Sequence, residues 1–441
     1  MIYRKLAAGL LAGVMALSLT ACSSGSDSSS SENQTSSELS DNGGTITLWA
    51  WDDTFNVKAA QLAAEAYKDD NPDVTVEVVS MAQDDIVAKL NTAFESGSVK
   101  GLPNIVLIED YRIQNYLQSY PGELADMSDV TTSDKFMAYK LSTMTVDGKI
   151  YGVPFDSGVA CVFYRTDLIQ QAGYTAQDME DLTWEKYIEI GKAVKEKTGV
   201  AMLGTDPDDL GLLRMMMQSA GSWYVDSEGR ANIANNQALA QAVSLYKQMK
   251  DAGITITTSG WDAGVSAVNE GKVATAVNGC WYASSIKKAT DQSGKWAVAA
   301  FPRMSNVPSS VNASNCGGAS WYVLSKVEGA DLAKDFLAKT FASDLELIDE
   351  LCSEVSLVST YKGAIEGANV NAADSFFNGQ PVYKSWAEWT DKIPAVNYGM
   401  STYDIESKMT EAVQAITGGT SIESALSKAQ TEVEGIVANA G

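Results

Sequence analysis

Aromatic and polar side chains come directly after predicted strands, where they could bind a small molecule without covalent chemistry. Residues 272–277 are short, apolar and partly β-branched, which predicts a buried strand. Asn278 and Gly279 are expected to end that strand, because both tolerate turn geometry. Trp281 then lies just beyond the strand end, where ligands bind in open α/β sheets. Its indole offers a flat apolar plate with a polar N–H at the edge.

Acidic groups near other predicted strand ends would supply hydrogen-bond acceptors for the same ligand. Residues 45–51 alternate in polarity and predict a first strand, and residues 103–108 predict a third. A carboxylate oxygen accepts strongly from a hydroxyl group, so these acids suit a neutral ligand rich in hydroxyls. The polar candidates are Asp52, Glu109, Asp110, Asp156 and Asn278, with Arg112 as a cationic candidate, and further candidate plates are Trp51, Trp223 and Tyr398.

The order of predicted elements indicates mainly parallel sheets. Strands at 45–51, 74–79 and 103–108 alternate with helices at 57–68 and 84–94, which predicts βαβ units. The residues from Glu109 to Arg112 are expected to form a loop after the third strand. Further strands are predicted at 159–164 and 296–303, and further helices at 184–197, 237–250, 332–341, 403–417 and 422–437. Thr183 is the expected N-cap of one helix, and Trp184 and Met215 to Met217 are expected to pack in the core.

Composition excludes several kinds of catalysis. The 441-residue chain has no histidine, which excludes His-based triads, His-ligated zinc and imidazole acid–base chemistry. No Gly-Lys pair precedes Ser or Thr, so there is no Walker A loop. Cys161, Cys280, Cys316 and Cys352 lack metal or redox spacing, and we expect free buried thiols. No cofactor is predicted.

The N-terminus reads as a secretory signal followed by a tether. Arg4 and Lys5 precede a short apolar stretch at 6–19, which is too short to span a membrane. The sequence Leu-Thr-Ala-Cys then ends at Cys22 and resembles the bacterial lipobox, whose cysteine is lipidated. The Ser-rich segment 23–42 is expected to be disordered. With a net charge of −24, the chain should repel nucleic acid and anionic lipid, so a lipid anchor would hold it at the membrane.

Several motifs together resemble one protein family. A helix, Gly271-Lys272, an apolar strand and Asn278-Gly-x-Trp281 are similar to the family 1 extracellular solute-binding proteins. Those are the carbohydrate-type receptors of ABC importers and include the maltose-binding proteins. The run from Tyr151 to Asp156 resembles the family's "YGVP-x-D" segment, and 315–321 resembles its "GG…W" segment. The resemblance covers nearly all of the chain after the tether.

The resemblance implies an α/β fold of the two-lobe periplasmic-binding-protein type II, each lobe a mainly parallel sheet flanked by helices. It implies crossing strands between the lobes, with Asp156 at the cleft floor and Trp281 stacked on a sugar. Gly318 would let a crossing strand or the ligand approach closely. The predicted parts are a lipoprotein signal peptide (1–21), a lipidated Cys22 with a disordered tether (22–44), an N-terminal lobe (45–155 and 318–365) and a C-terminal lobe (156–317 and 366–441).

The predicted function is therefore a receptor, not an enzyme. It would be a monomer anchored at the extracytoplasmic face of the bacterial cell membrane, binding a carbohydrate and delivering it to ABC permease transmembrane subunits. One alternative is a surface glycosidase, which would need paired carboxylates as acid and nucleophile. The other is a receptor for a phosphate ester, which would need several cations in the cleft. Of the candidate loops, only the one at Arg112 carries a cation.

Overall fold

Strands and helices alternate in the first part of the chain, as the sequence predicts. The computed structural model describes residues 44–440, so the signal, Cys22 and nearly all of the tether lie outside the described residues. The first elements are β1 (Thr45–Ala50), α1 (Asn56–Asp70), β2 (Thr75–Ser80), α2 (Gln83–Ser96), β3 (Ile105–Glu109), α3 (Asp110–Ser119), α4 (Ala138–Thr143), β4 (Thr145–Val146), β5 (Lys149–Ile150) and β6 (Val153–Pro154).

The middle of the chain supplies a second set of strands. Its elements are β7 (Ala160–Arg165), α5 (Thr166–Gln171), α6 (Trp184–Thr198), β8 (Leu203–Thr205), α7 (Gly211–Ser219), α8 (Gln237–Asp251), β9 (Thr255–Thr257), α9 (Trp261–Asn269), β10 (Thr275–Gly279), α10 (Ala283–Ile286) and β11 (Trp296–Ala300). The last elements are β12 (Ala319–Val323), α11 (Ala330–Lys339), α12 (Leu345–Val355), α13 (Val382–Thr390), α14 (Thr402–Thr417) and α15 (Ile422–Ala440).

Two separate sheets organise two lobes. The first sheet has the order β2-β1-β3-β12-β6; β1 runs parallel to β2 and β3, and only β12 runs antiparallel to its neighbours. The second has the order β10-β7-β11, with β7 antiparallel to both neighbours. The parallel pair β8–β9 extends it through a parallel bridge between Ala201 and Val273. Each lobe is therefore mainly parallel, with one strand reversed.

Three chain segments lie side by side between the two sheets. Val159 pairs with Asn315 in an antiparallel bridge, and the Cys316 amide donates to the Gly158 carbonyl at 2.7 Å. Asp156 pairs with Ser359 in a third segment. These backbone hydrogen bonds fix the register of the crossing segments, so the lobes are joined by paired strands and not by a single linker.

Local signals set the helix bounds where the caps are strong. The Thr183 hydroxyl accepts from the Lys186 amide at 3.1 Å and begins α6, as predicted. Gly199, at φ 76°, ends the same helix in the left-handed conformation.

Trp184 and the methionines of α7 are buried, which confirms their assignment to the core. The four cysteines are free, as expected, with Cys316 less buried than the rest. Within residues 44–440 no helix is both long and apolar enough to cross a membrane.

Two predicted boundaries are wrong. Strand β10 does not stop before Asn278: Asn278 pairs with Cys161 and Gly279 pairs with Ala160, so the partner strand β7 holds both residues extended. The turn comes at Cys280, which begins a short 3₁₀ segment. Likewise Glu109 is the last residue of β3 and Asp110 the first of α3, so the predicted loop at 109–112 does not exist.

The Gly158→Ala substitution is expected to lower the free energy of unfolding by at least about 1–3 kcal/mol, the usual cost of overpacking. A Cβ atom at Gly158 would lie 2.1 Å from the Cys316 carbonyl oxygen, and backbone cannot move aside as a side chain can. Urea denaturation of the variant measures the loss. Gly435→Ala is the control, because nothing lies within 4 Å of its added Cβ in α15 and the change should stabilise the helix slightly. Equal stability of the two variants would contradict the close packing of the crossing.

Candidate functional site

A cleft of about 470 Å³ opens at the carboxyl ends of several strands. Glu109 at the end of β3 and Tyr111 on α3 line it from the first lobe, whereas most of its lining comes from the second lobe. The second-lobe side chains used below are Thr205, Asp206, Asp209, Arg214, Trp261, Asn278 and Trp281. The volume lies in the range of about 300–1,000 Å³ typical of small-molecule sites. The strand-end position is where such sheets bind ligands.

Two indole rings form the aromatic part of the cleft. Trp281 is half-buried, and its Nε1–H donates at 2.9 Å to the carbonyl of Cys316, which lies in the crossing segment before β12. The ring of Trp261 lies 5.8 Å from that of Trp281, tilted by 33°. Trp261 is 54% exposed, although large apolar side chains are normally covered. Apolar surface therefore continues from the crossing strand to the outer part of the cleft.

Polar groups surround the rings, and several already have protein partners. One Asp206 oxygen accepts from the Gly260 amide at 2.7 Å, and Asp209 accepts from the Gly211 amide at 2.8 Å. The Asn278 side-chain oxygen accepts from the Gly279 amide at 2.9 Å, which leaves its NH₂ group for a ligand acceptor. Carboxylates and an amide beside indole plates can bind a ligand that has both hydroxyls and an apolar face.

Glu109, which lines the cleft, also contacts helix α14. The Tyr403 hydroxyl, on α14, donates to the Glu109 carboxylate at 2.7 Å. The Arg112 guanidinium lies 4.5 Å from the Tyr403 ring centre and contacts Glu109 at 3.5 Å. Burial raises the pKa of the Glu109 carboxyl, whereas the Tyr403 hydrogen bond and nearby Arg112 act to lower it. This contact makes Tyr403 a neighbour of the cleft that sequence reasoning missed.

Arg214 is the second cation near the cleft, and it too is neutralised by acidic side chains. It forms an ion pair with Glu406 and lies 3.6 Å from Asp209. Its guanidinium also packs over the Tyr111 ring at 5.4 Å. Since Arg112 and Arg214 both have carboxylate partners, the cleft does not offer a cationic pocket for a phosphate group.

Asp110 and Asp156 do not line the cleft, which corrects their assignment as ligand groups. Both are buried beside Lys140, which is itself fully buried. The Lys140 ammonium donates to Asp110 Oδ2 at 2.7 Å and to the carbonyls of Asp156 and Ala319 at 2.8 Å. Gly318 belongs to this cluster as well, because a Cβ there would lie 2.9 Å from Asp110 Oδ2. These residues hold the crossing strands together.

Trp223 and Tyr398 are likewise buried under the cleft and are not available as plates. Trp223 is 1% exposed, and its Nε1–H donates to the Thr402 hydroxyl at 3.2 Å. The Tyr398 ring packs edge-on against Trp223 and Tyr111, each at 4.7 Å. The assignment of both as ligand plates is therefore corrected: they support Tyr111 from below.

Trp51 and Arg112 lie in a small cavity next to the cleft, together with Glu109. The Asp52 side chain is used within its own turn: the residue adopts φ 62°, and its Oδ1 accepts from the Thr54 amide and hydroxyl at 3.0 and 2.8 Å.

Of the sequence candidates, the structure thus brings Glu109, Asn278 and Trp281 together in the cleft and places Trp51 and Arg112 beside it. Trp261 was missed, although Gly260-Trp261 after β9 repeats the pattern of an aromatic residue beyond a strand end.

A larger cavity, of about 560 Å³, lies at the outer edge of β11. It is lined by the second lobe alone, including Ala297 to Ala300, Glu180 and Trp389. We place the functional site in the smaller cleft because that cleft lies at strand ends, contains residues of both lobes and combines indole plates with polar groups.

The sequence matches a family model described as bacterial extracellular solute-binding protein over residues 62–378. This match covers more than half of the chain. The chain belongs to this family. The solute-binding protein is 41% identical over 392 residues to a protein named lactose-binding protein from Rhizobium radiobacter, spanning 89% of this chain and 93% of that one.

Solved structures share the fold of this solute-binding protein. The sugar-binding protein MalE from Xanthomonas citri has a TM-score of 0.76 at 18% identity, covering 90% of this chain and 98% of that one. The galacto-N-biose/lacto-N-biose I-binding protein from Bifidobacterium longum, solved with lacto-N-biose, has a TM-score of 0.73 at 21% identity, covering 91% and 98%. The predicted two-lobe type II architecture is confirmed, and the family is extracellular.

Proposed function

We propose that this solute-binding protein is a sugar receptor of an ABC importer, which captures a sugar or oligosaccharide in the cleft and delivers it to the permease subunits. The observation that carries the proposal is the cleft itself: indole plates and hydroxyl-binding groups lie together between two lobes joined by paired strands. Sugar rings have one apolar face formed by ring hydrogens, which an indole can cover. The 41% identical relative is named for lactose, which supports a sugar ligand.

Neither alternative from the sequence has support in the cleft. A phosphate-ester receptor would need unpaired cations, whereas Arg112 and Arg214 are held by Glu109 and Glu406. A glycosidase would need one protonated and one ionised carboxyl flanking the bond. Asp206 instead accepts from the Gly260 amide, and Asp209 accepts from the Gly211 amide. We therefore propose binding without catalysis.

A thermal-shift screen of the mature protein tests the sugar assignment. The panel contains lactose, lacto-N-biose, arabino-oligosaccharides, maltose and glucose 6-phosphate. A ligand at 100 times its Kd should stabilise the protein by about 2.7 kcal/mol and raise its melting temperature. Recovery of the intact sugar by mass spectrometry would exclude hydrolysis. Stabilisation by glucose 6-phosphate alone would overturn the proposal of a neutral ligand.

We also propose the lobe boundaries 45–155 with 318–365, and 156–317 with 366–441. The membership of the two sheets supports them, since β1 to β6 and β12 form the first sheet and its hairpin, and β7 to β11 form the second. Residues of α14 and α15 pack in one apolar core with those of α8, which supports assigning the C-terminal helices to the second lobe.

We propose that the protein is a monomer and that its two lobes close on the ligand as rigid bodies.

We propose that a lipid attached to Cys22 anchors the protein to the membrane. The lipobox-like sequence before Cys22 and the Ser-rich segment after it support an anchor at the extracytoplasmic face of the membrane. Cys22→Ser is expected to release the protein into the medium or to block its processing, whereas the wild type should fractionate with membranes. Fractionation followed by mass spectrometry of the N-terminus is the measurement. A Cys22→Ser variant that matures normally and stays on the membrane would show that the anchor lies elsewhere.

A further inference from the structure

Trp261 is an exposed indole at the cleft that has contacts to its ring and next to its backbone. It is one of three large apolar side chains that are exposed within residues 44–440, the others being Val311 and Leu345. Its backbone position is fixed: Gly260 adopts φ 79° and donates its amide to Asp206 at 2.7 Å. The ring contacts Tyr282 edge-on at 5.3 Å and 88°. A side chain fixed in this way loses little conformational entropy when a ligand covers it.

The cleft beside Trp261 also contains a polar group without a partner. The Thr205 hydroxyl oxygen is buried and has no hydrogen-bond partner among the described residues. Thr205 ends β8 next to Asp206, the residue that holds Gly260. A buried hydroxyl left without a partner costs stability, and a ligand that supplied one would remove that cost.

We propose that Trp261 forms the subsite for a second sugar ring, so that it selects ligands of two or more rings. The inference rests on the proposed sugar function. Trp281 lies at the inner, half-buried end of the aromatic surface and would take the first ring. The 5.8 Å between the two indole centres is comparable to the spacing of neighbouring rings in a disaccharide. A single ring on Trp281 would leave Trp261 in water, whereas a second ring would cover it.

Calorimetry on the mature protein tests this with lactose and its component monosaccharides, galactose and glucose. Trp261→Ala is expected to weaken lactose binding about 10-fold to 100-fold, from the loss of a large covered apolar side chain. Binding of the monosaccharide should change by less than about twofold, since it uses the Trp281 end alone. Trp261→Phe keeps a smaller plate and should give an intermediate loss. The melting temperature without ligand should stay unchanged, because Trp261 is more than half exposed.

Trp389→Ala is the control, because it removes another indole that is not fully buried and that lines the other cavity. It should leave both affinities unchanged. Equal losses for lactose and monosaccharide in Trp261→Ala, or no loss for either, would overturn the second subsite. A wild type that binds monosaccharides but neither lactose nor any disaccharide of the screen would overturn it too, while leaving the sugar function intact. A wild type that binds no sugar would overturn both.

Discussion

Replacing Lys140 by methionine is expected to lower the free energy of unfolding by about 3–5 kcal/mol, the usual cost of breaking a buried ion pair. Lys140 and Asp110 are both fully buried, and their charged atoms are 2.7 Å apart. The lysine also lies 3.9 Å from Asp156 Oδ1 and donates to two backbone carbonyls. Methionine fills much of the same volume but leaves Asp110 Oδ2 and those two carbonyls without their donor.

The loss should depend on pH in a defined direction. Burial raises the pKa of Asp110 from 3.8 to about 6, although the Lys140 charge opposes the shift. The folded chain thus binds the Asp110 proton more tightly than the unfolded chain does. Ionising Asp110 therefore costs stability, a cost that is absent below about pH 4 and grows through about pH 6. Without Lys140 the pKa should rise further, so the difference between wild type and Lys140→Met should be larger at pH 8 than at pH 5.

Urea denaturation at the two pH values measures both effects. Lys149→Met is the matched control, because Lys149 pairs with Asp126 at 3.1 Å but on the surface, with both side chains well exposed. Exposed pairs contribute about 0–1 kcal/mol, so the control should barely change. A Lys140 variant no less stable than the Lys149 variant would show that the buried cluster does not hold the crossing strands.

Replacing Trp281 by alanine is expected to remove about 1.5–3 kcal/mol of sugar binding, the range for burying a large apolar side chain. This corresponds to roughly a 10-fold to 150-fold weaker Kd. The free energy of unfolding without ligand should fall by less than the roughly 3–5 kcal/mol of a core Trp→Ala change, because Trp281 is only half-buried. Calorimetry on the sugar found in the thermal-shift screen measures the first quantity, and urea denaturation the second.

Two further variants separate the roles of the Trp281 ring. Trp281→Phe removes the hydrogen bond to the Cys316 carbonyl but keeps an aromatic ring. Because the ring is what covers the sugar, this variant should retain most of the sugar affinity. Trp296→Ala is the core reference, because Trp296 is fully buried and should lose stability far more. If Trp281→Ala instead matches Trp296→Ala in stability and keeps its affinity per folded molecule, Trp281 is a core residue and the site lies elsewhere.

Local patterns in the sequence were enough to predict most helices and strands and some of the residues that line the cleft. The alternation of strands and helices, the Thr183 cap and the position of Trp281 beyond a strand all depend on residues close together in the chain. Trp261 could have been found in the same way, since it also follows a strand end. Where a local signal failed, a partner strand overrode it: Asn278 and Gly279 favour a turn, but β7 holds them in the ladder.

Tertiary structure alone decided which polar groups line the cleft. Glu109 and Asp110 are adjacent and both acidic, yet Glu109, the last residue of β3, lines the cleft, whereas Asp110, the first residue of α3, is buried. The partner of Asp110 is Lys140, and that of Glu109 is Tyr403, 294 residues away along the chain. Such pairs form only when distant segments pack, so the periodicity that sets helices and strands carries no information about them.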